Sequence, residues 1–215
     1  MPTGRFITLE GSEGCGKSTQ ARLLEAWLRA AGLEVLLLRE PGGTPLGEEI
    51  RTLLKHHPAG HGMDPAAELL LFAASRAELV RKVIQPALTR GAWVLCDRFL
   101  DSTTVYQGTA RGLDPTAVAS VNRFAIAGCL PDLTLVFDLD PAEARRRTLD
   151  RSRSVGTDRM ESEPPAFYET VHRDYLRLAA SEPGRFRVVP AHGTPDDVFH
   201  RVQQEVRHAF PGRLD

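Results

Sequence analysis

Residues 11–18 read Gly-Ser-Glu-Gly-Cys-Gly-Lys-Ser and fit the spacing G-x-x-x-x-G-K-[ST]. Glycine tolerates backbone angles that turn successive N–H groups inward, so such a loop can cradle a phosphate. Lys17 would reach the β- and γ-phosphates of a nucleotide, and the Ser18 hydroxyl would bind Mg²⁺. The motif needs a strand before it and a helix after it. Here Phe6–Glu10 is a short apolar run, and from Ser18 to Ala31 the residues Leu23, Leu24, Trp27 and Leu28 recur at helical spacing. That helix would aim its positive dipole end at the same anion. The chain therefore reads as a nucleotide-binding protein, not one with a glycine-rich turn that binds nothing.

Further acids and bases stand where apolar runs end: Glu10, Arg39-Glu40, Asp97-Arg98, and Asp138 with Asp140. The runs are Phe6–Glu10, Val35–Arg39, Ala92–Asp97, Leu133–Leu139 and Phe186–Val189. Most are nearly continuous in apolar residues, as in parallel strands buried on both faces. Helical patterns alternate with them at Leu46–Lys55, Pro65–Arg90, Pro115–Ala127, Pro141–Arg151, Pro164–Ala180 and Pro195–Phe210. Asp-Pro pairs at Asp64, Asp114 and Asp140 mark helix starts. The expectation is one α/β domain over residues 1–215, a five-stranded parallel sheet with helices on both faces. Ligands in such sheets bind beyond the carboxyl ends of the strands. Any one charged strand end could be a structural ion pair; four together point to a site.

A net charge of −1 gives no global field favouring nucleic acid or an anionic membrane. Cys15, Cys96 and Cys129 are widely spaced and read as reduced thiols of a cytosolic protein. There is no apolar run long enough to span a bilayer and no signal-peptide pattern, so a cytoplasmic protein without a membrane partner is expected. His56, His57 and His61 fall in a polar turn that reads as a solvated loop, not a metal site.

No N-K-x-D guanine motif is present, which argues against a GTPase switch, and 215 residues leave little room for a motor's coupling domain. Instead there follow Arg39-Glu40-Pro41-Gly42-Gly43-Thr44, Phe72-Ala73-Ala74-Ser75-Arg76, and Asp97-Arg98-Phe99 leading to Ser102-Thr103 and Tyr106-Gln107-Gly108. Pro131-Asp132-Leu133-Thr134 and Asp158-Arg159-Met160-Glu161 come later. In this order, from Phe6 to about Thr194, the chain closely resembles the thymidylate kinase family of P-loop nucleoside monophosphate kinases, in its bacterial type with lid arginines. The alternatives are another nucleoside or nucleotide kinase of the same fold, or a non-catalytic nucleotide-binding protein.

The resemblance implies the P-loop kinase fold, transfer of the γ-phosphoryl of ATP to dTMP, Mg²⁺, and a homodimer. It implies that Gly11, Ser12, Glu13, Gly14, Cys15, Gly16, Lys17, Ser18 and Thr19 hold ATP, with Ser18 and Asp97 organising Mg²⁺ partly through water. Arg98 would grip the acceptor phosphate in a bidentate fork, with Arg51 as a second contact. By the same resemblance Phe72 stacks on thymine and Arg76 bonds its O4. Glu13, Pro41, Ser102, Thr103, Tyr106 and Gln107 surround base and sugar, and residues 191–194 bracket adenine. From periodicity alone, Phe72 would be a core residue and Arg76 a surface one. The Arg-rich stretch 150–161 is either a solvated loop or a short lid. As a lid, Arg151, Arg153 and Arg159 would neutralise charge on the transferred group.

Overall fold

The structure, a computed structural model, describes residues 4–155, 159, 160 and 163–214, with 152–155 as backbone only. Five strands form one parallel sheet in the order β2-β3-β1-β4-β5. They are β1 (Arg5–Glu10), β2 (Val35–Arg39), β3 (Trp93–Asp97), β4 (Leu133–Asp138) and β5 (Phe186–Pro190). The expected strands lie within a residue of these bounds. The helices are α1 (Lys17–Ala30), α2 (Pro45–Lys55), α3 (Pro65–Leu79), α4 (Gln85–Thr89), α5 (Leu100–Thr103), α6 (Pro115–Ile126), α7 (Pro141–Val155), α8 (Pro165–Ser181) and α9 (Pro195–Ala209).

Alternation along β1 assigns its side chains to two faces. Ile7 and Leu9 pack with Leu24 and Leu28 of α1 and Val202 and Val206 of α9. Phe6 packs on the opposite face with Leu79, Ile84 and Phe99. Each buried leucine contributes roughly 1.5–3 kcal/mol through the water it leaves. Thr8 and Glu10 share the face of Phe6, so the polar end of β1 turns toward α5 and α8. Asp64 and Asp114 accept backbone N–H groups of α3 and α6, and Asp140 those of Ala142 and Glu143, as the Asp-Pro pairs required.

Three departures from expectation have local causes. The helix expected over 65–90 holds a π-helical stretch, Val80–Ile84, just before Pro86. Proline has no N–H and crowds the carbonyl four residues back, and a wider turn relieves both. Residues 100–110 form a helix that was not expected: α5 runs into a second π-helical stretch, Thr104–Ala110. Thr103, Thr104 and Val105 are poor helix formers, but Asn122 of α6 donates to the Leu100 carbonyl and to Thr104 Oγ1, tying the segment down. The stretch expected to begin a lid loop at 150 is helical to Val155, extending α7. Glu143 pairs with Arg146 and Arg147 along that helix.

Arg76 of α3 is 1% exposed. It donates to Glu40 Oε2 from Nε (2.8 Å), to Asn122 Oδ1 (2.9 Å) and to the Phe99 carbonyl (3.1 Å), and it lies over the Phe99 ring. It thus joins β2, α3, α5 and α6 behind the edge of the sheet. Removing one partner of such a buried pair strands the other charge, at roughly 3–5 kcal/mol. Burial pushes the Glu40 carboxyl up from 4.5 to about 7, with Arg76 offsetting part of the effect. The folded chain therefore holds this proton more tightly than the unfolded chain. The resulting stability is complete below the unfolded pKa and is lost as pH rises through about 7. Urea unfolding between about pH 5 and 8 should show wild type losing on the order of 2 kcal/mol more than Glu40→Gln. Parallel pH profiles for the two proteins would show that the carboxyl does not titrate there.

Candidate active site

All five strands point their carboxyl ends at one edge, where β1, β2 and β3 finish level with one another. β1 lies between β3 and β4, so the loop leaving it sits at the switch point of the sheet. That loop is the glycine-rich segment. Gly14, at φ 78°, packs so closely on α7 that a Cβ would lie 2.1 Å from the Ala144 carbonyl oxygen. Only glycine fits there.

A cleft of about 690 Å³ opens above the edge. Glu13 through Thr19 form one wall, and Arg39, Glu40, Arg51 and Lys55 another. Asp97 and Arg98 lie at the strand end, Arg147 and Arg151 come from α7, and Ala191, Gly193 and Pro195 close the far end. Lys17 Nζ donates to the Gly11 and Ser12 carbonyls at 2.9 and 2.6 Å and lies 3.5 Å from Cys15 Sγ. Gly11 and Ser12 do not line the cleft; they act through those carbonyls. Ser18 Oγ donates to Asp97 Oδ2 at 2.5 Å. A hydroxyl and a carboxylate side by side are the hard oxygen pair that Mg²⁺ takes from protein when phosphates and water supply its remaining ligands. Among the described residues no cluster of three or more His, Cys, Asp or Glu could hold a metal, and the loop histidines His56, His57 and His61 are exposed.

Arg98 stands at the turn out of β3 with φ 71°, a left-handed conformation that costs a non-glycine residue on the order of 1–3 kcal/mol. It is held by its N–H to the Leu9 carbonyl. The guanidinium donates to Glu13 Oε1 (2.7 Å), the Tyr106 hydroxyl (3.2 Å) and Ser102 Oγ (3.1 Å), and lies 5.0 Å over the Tyr106 ring. Tyr106 donates to Glu13 Oε2 at 2.7 Å. Burial would raise the Glu13 carboxyl, but Arg98, Lys17 and the Tyr106 hydroxyl outweigh it and hold the group below the usual range. Beneath, Glu10 accepts from the Phe99 N–H, Ser102 and Tyr175. Its carboxyl is raised by burial and by Asp101.

Beside the cleft lies a narrow pocket of about 40 Å³, lined by Pro41, Phe72, Ser102, Thr103, Tyr106, Gln107 and Met160. Glu13, Glu40, Lys55 and Arg98 line both spaces and form the passage between them. Thr103 is 1% exposed, and its hydroxyl has no hydrogen-bond partner among the described residues.

Of the residues the sequence assigned, Glu13, Pro41, Phe72, Arg98, Ser102, Thr103, Tyr106 and Gln107 come together in this pocket. Arg51 lines the larger cleft and donates to the Pro41 carbonyl at 3.0 Å. Two of the assigned residues lie outside the lining of both spaces. Arg76 lines neither space, because Glu40, Asn122 and the Phe99 carbonyl hold its guanidinium behind the wall. Arg159 is also away from the cleft: its Nε donates to the Leu54 carbonyl (2.9 Å) and NH2 to Glu68 Oε2 (2.5 Å). Arg151 does line the cleft, whereas the Arg153 side chain and residues 156–158 lie outside the described residues. Sequence reasoning missed Glu40, Lys55, Arg147 and Met160. Glu40 and Met160 sat inside segments already quoted, and Arg147 lies one helical turn before Arg151, on the same face.

A sequence profile described as thymidylate kinase matches residues 9–202. A thymidylate kinase of Chromohalobacter salexigens is 50% identical over all of this chain and 98% of its own length. One from Nitratidesulfovibrio vulgaris is 49% identical over 94% of this chain and 95% of its own. The crystal structure of a thymidylate kinase from Ehrlichia chaffeensis superposes with a TM-score of 0.75 at 34% identity, covering 95% of this chain and 99% of that one. Among the described residues no helix is long and apolar enough to cross a membrane. A P-loop at the switch point, a pocket joined to its cleft and relatives matched along the whole chain agree: the chain belongs to the thymidylate kinase family.

Proposed function

We propose that this chain transfers the γ-phosphoryl group of ATP to dTMP, giving dTDP and ADP, in the cytoplasm. The observation that carries the reading is the pair of connected spaces, one edged by the P-loop and one by an aromatic ring, meeting at Glu13, Glu40, Lys55 and Arg98. Phosphoryl transfer needs little covalent help from protein; it needs alignment of donor and acceptor and charge to meet the migrating group. ATP would lie in the cleft with its phosphates on Glu13–Thr19 and its base toward Ala191 and Gly193. Lys17 would exchange its carbonyl partners for the β- and γ-phosphates. Ser18 and Asp97 would hold Mg²⁺, which would neutralise the phosphate oxygens. Arg151 and Arg147, leaning in from α7, would add positive charge on the opposite side.

The acceptor would enter the narrow pocket with its phosphate on Arg98 and Arg51, its sugar against Tyr106 and Glu13, and its base on Phe72. Glu13, held ionised, is suited to accept from a sugar hydroxyl. The unpartnered Thr103 hydroxyl can accept the N3–H of thymine or donate to its carbonyl oxygens. A ligand that satisfies a buried polar group recovers free energy the empty site forgoes.

ADP release from MgATP should be fastest with dTMP. dUMP, which lacks one methyl group, should be about 10- to 200-fold worse. dCMP, dAMP and dGMP should trail. Thr103→Val should raise KM for dTMP about tenfold and leave KM for ATP unchanged. Equal use of dCMP and dTMP by the wild type would overturn the thymine reading.

Arg98→Lys should lose at least about tenfold in kcat/KM for dTMP, because a point charge cannot reproduce the planar fork. ATP affinity should be unaffected. Collapse of ATP binding with dTMP binding retained would place Arg98 on the other substrate.

The homodimer belongs to the same proposal. Phe124 of α6 is 78% exposed and Leu70 of α3 58%, on helices that pack against each other. A second copy would cover such a surface. Light scattering should give twice the chain mass for wild type and the chain mass for Phe124→Arg; a monomeric wild type would refute it.

A further inference from the structure

Glu68, in the first turn of α3, is 1% exposed yet carries a carboxylate. Burial alone would raise it, but Gln107, Arg159 and Arg111 outweigh burial and hold it below the usual range. Its three partners come from separate parts of the chain. Gln107 Nε2, from the π-helical wall of the acceptor pocket, donates to Oε1 at 2.8 Å. Arg159 NH2 donates to Oε2 at 2.5 Å, and Arg111 reaches both oxygens at 3.3 and 3.4 Å. Arg111 is balanced by Glu163 at 2.6 Å.

Arg159 is fixed at two further points, with its backbone N–H on the Lys55 carbonyl (3.1 Å) and its Nε on the Leu54 carbonyl (2.9 Å). The next residue, Met160, is 5% exposed and lines the acceptor pocket, and its carbonyl accepts from Tyr168 at 2.5 Å. Glu68 and Phe72 are four apart and share a face of α3. One carboxylate thus ties three parts of the pocket wall together: the helix carrying the aromatic platform, the strip carrying Gln107, and the segment carrying Met160.

We infer that Glu68 is a positioning residue of the acceptor pocket, and that Arg159 acts through it to seat Met160 over the acceptor, not on the transferred phosphoryl group. This rests on the acceptor reading proposed above. The Glu68–Arg159 pair holds the Met160 side of the pocket against the side carrying Phe72 and Gln107. A group acting only on the transition state lowers kcat, whereas a group that seats the acceptor changes acceptor affinity.

The test is calorimetric titration and steady-state kinetics of Arg159→Gln, Glu68→Gln and the double variant, with dTMP and MgATP. Each single variant should weaken dTMP binding and raise its KM about tenfold. ATP affinity and kcat at saturating dTMP should stay near wild type. The double variant should lose less than the sum of the two singles, since both changes break the Glu68–Arg159 pair. Met160→Ala, which leaves the ion pair in place, should weaken dTMP binding in the same way, and it supplies the answer if Glu68→Gln does not fold. A fall in kcat with unchanged dTMP affinity would overturn the inference and return Arg159 to the transferred group. Additive losses would overturn it too. Variants that bind dTMP like a normal wild type overturn this inference alone, whereas a wild type that neither binds nor phosphorylates dTMP overturns the proposed function and this inference with it.

Discussion

A guanidinium that has left bulk water must be met by oxygens from wherever the chain can supply them. Arg98 is met by Glu13 of the P-loop, Ser102 of α5 and Tyr106 of the π-helical stretch. Ser102 and Tyr106 follow closely along one helical segment, but Glu13 stands 85 positions before Arg98, and all three line the narrow pocket. Burial disfavours the cation, but the surrounding hydroxyls and carboxylates reverse that and raise Arg98 well above its ordinary value. The strained backbone at φ 71° persists because so many contacts depend on that side chain being there. Both spaces of the site meet at this arginine.

The acids around it differ in state because they differ in company. Glu13 touches Arg98 and a phenol, with Lys17 close by, and stays ionised. Glu68, with two arginines and an amide, does the same despite near-complete burial. Among the described residues Glu40 pairs with Arg76, and one of its oxygens has no partner; burial wins and its carboxyl rises to about 7. Two cationic neighbours against one separate these three groups, and Glu10, whose three hydrogen-bond donors are all neutral and which lies near Asp101, is raised as well.

Sequence carried the local part of this. The P-loop is eight consecutive residues with a strand and a helix at its ends, and continuous apolar runs announce buried parallel strands. The fold and the P-loop were therefore legible. So were Phe72, Ser102, Thr103, Tyr106 and Gln107, through the resemblance and not through periodicity. What spacing does not carry is pairing at long range. Phe72 and Arg76 do share a helix face, but spacing cannot say that Glu40, 36 positions earlier, captures the guanidinium. Arg159 was read with its arginine-rich neighbours, yet its partner is Glu68, 91 positions away. Residues 100–110 were missed as a helix because their propensities are poor and their support comes from Asn122.

The same contrast accounts for the division among the basic residues near the cleft. The variable part of the P-loop, Ser12-Glu13-Gly14-Cys15, carries no cation of its own. Positive charge must therefore come from another element. α7 packs against the loop at Gly14 and continues as helix past the point where a loop was expected. α7 places Arg147 and Arg151, one turn apart, on the cleft. A helix fixes such side chains more firmly than a loop could, so under the proposed transfer less ordering would remain when charge develops between donor and acceptor. Arg159, beyond that helix, is drawn to the buried acid of the acceptor side instead. The arginine-rich stretch thus divides: Arg147 and Arg151 line the cleft, and Arg159 pairs with Glu68 beside the narrow pocket.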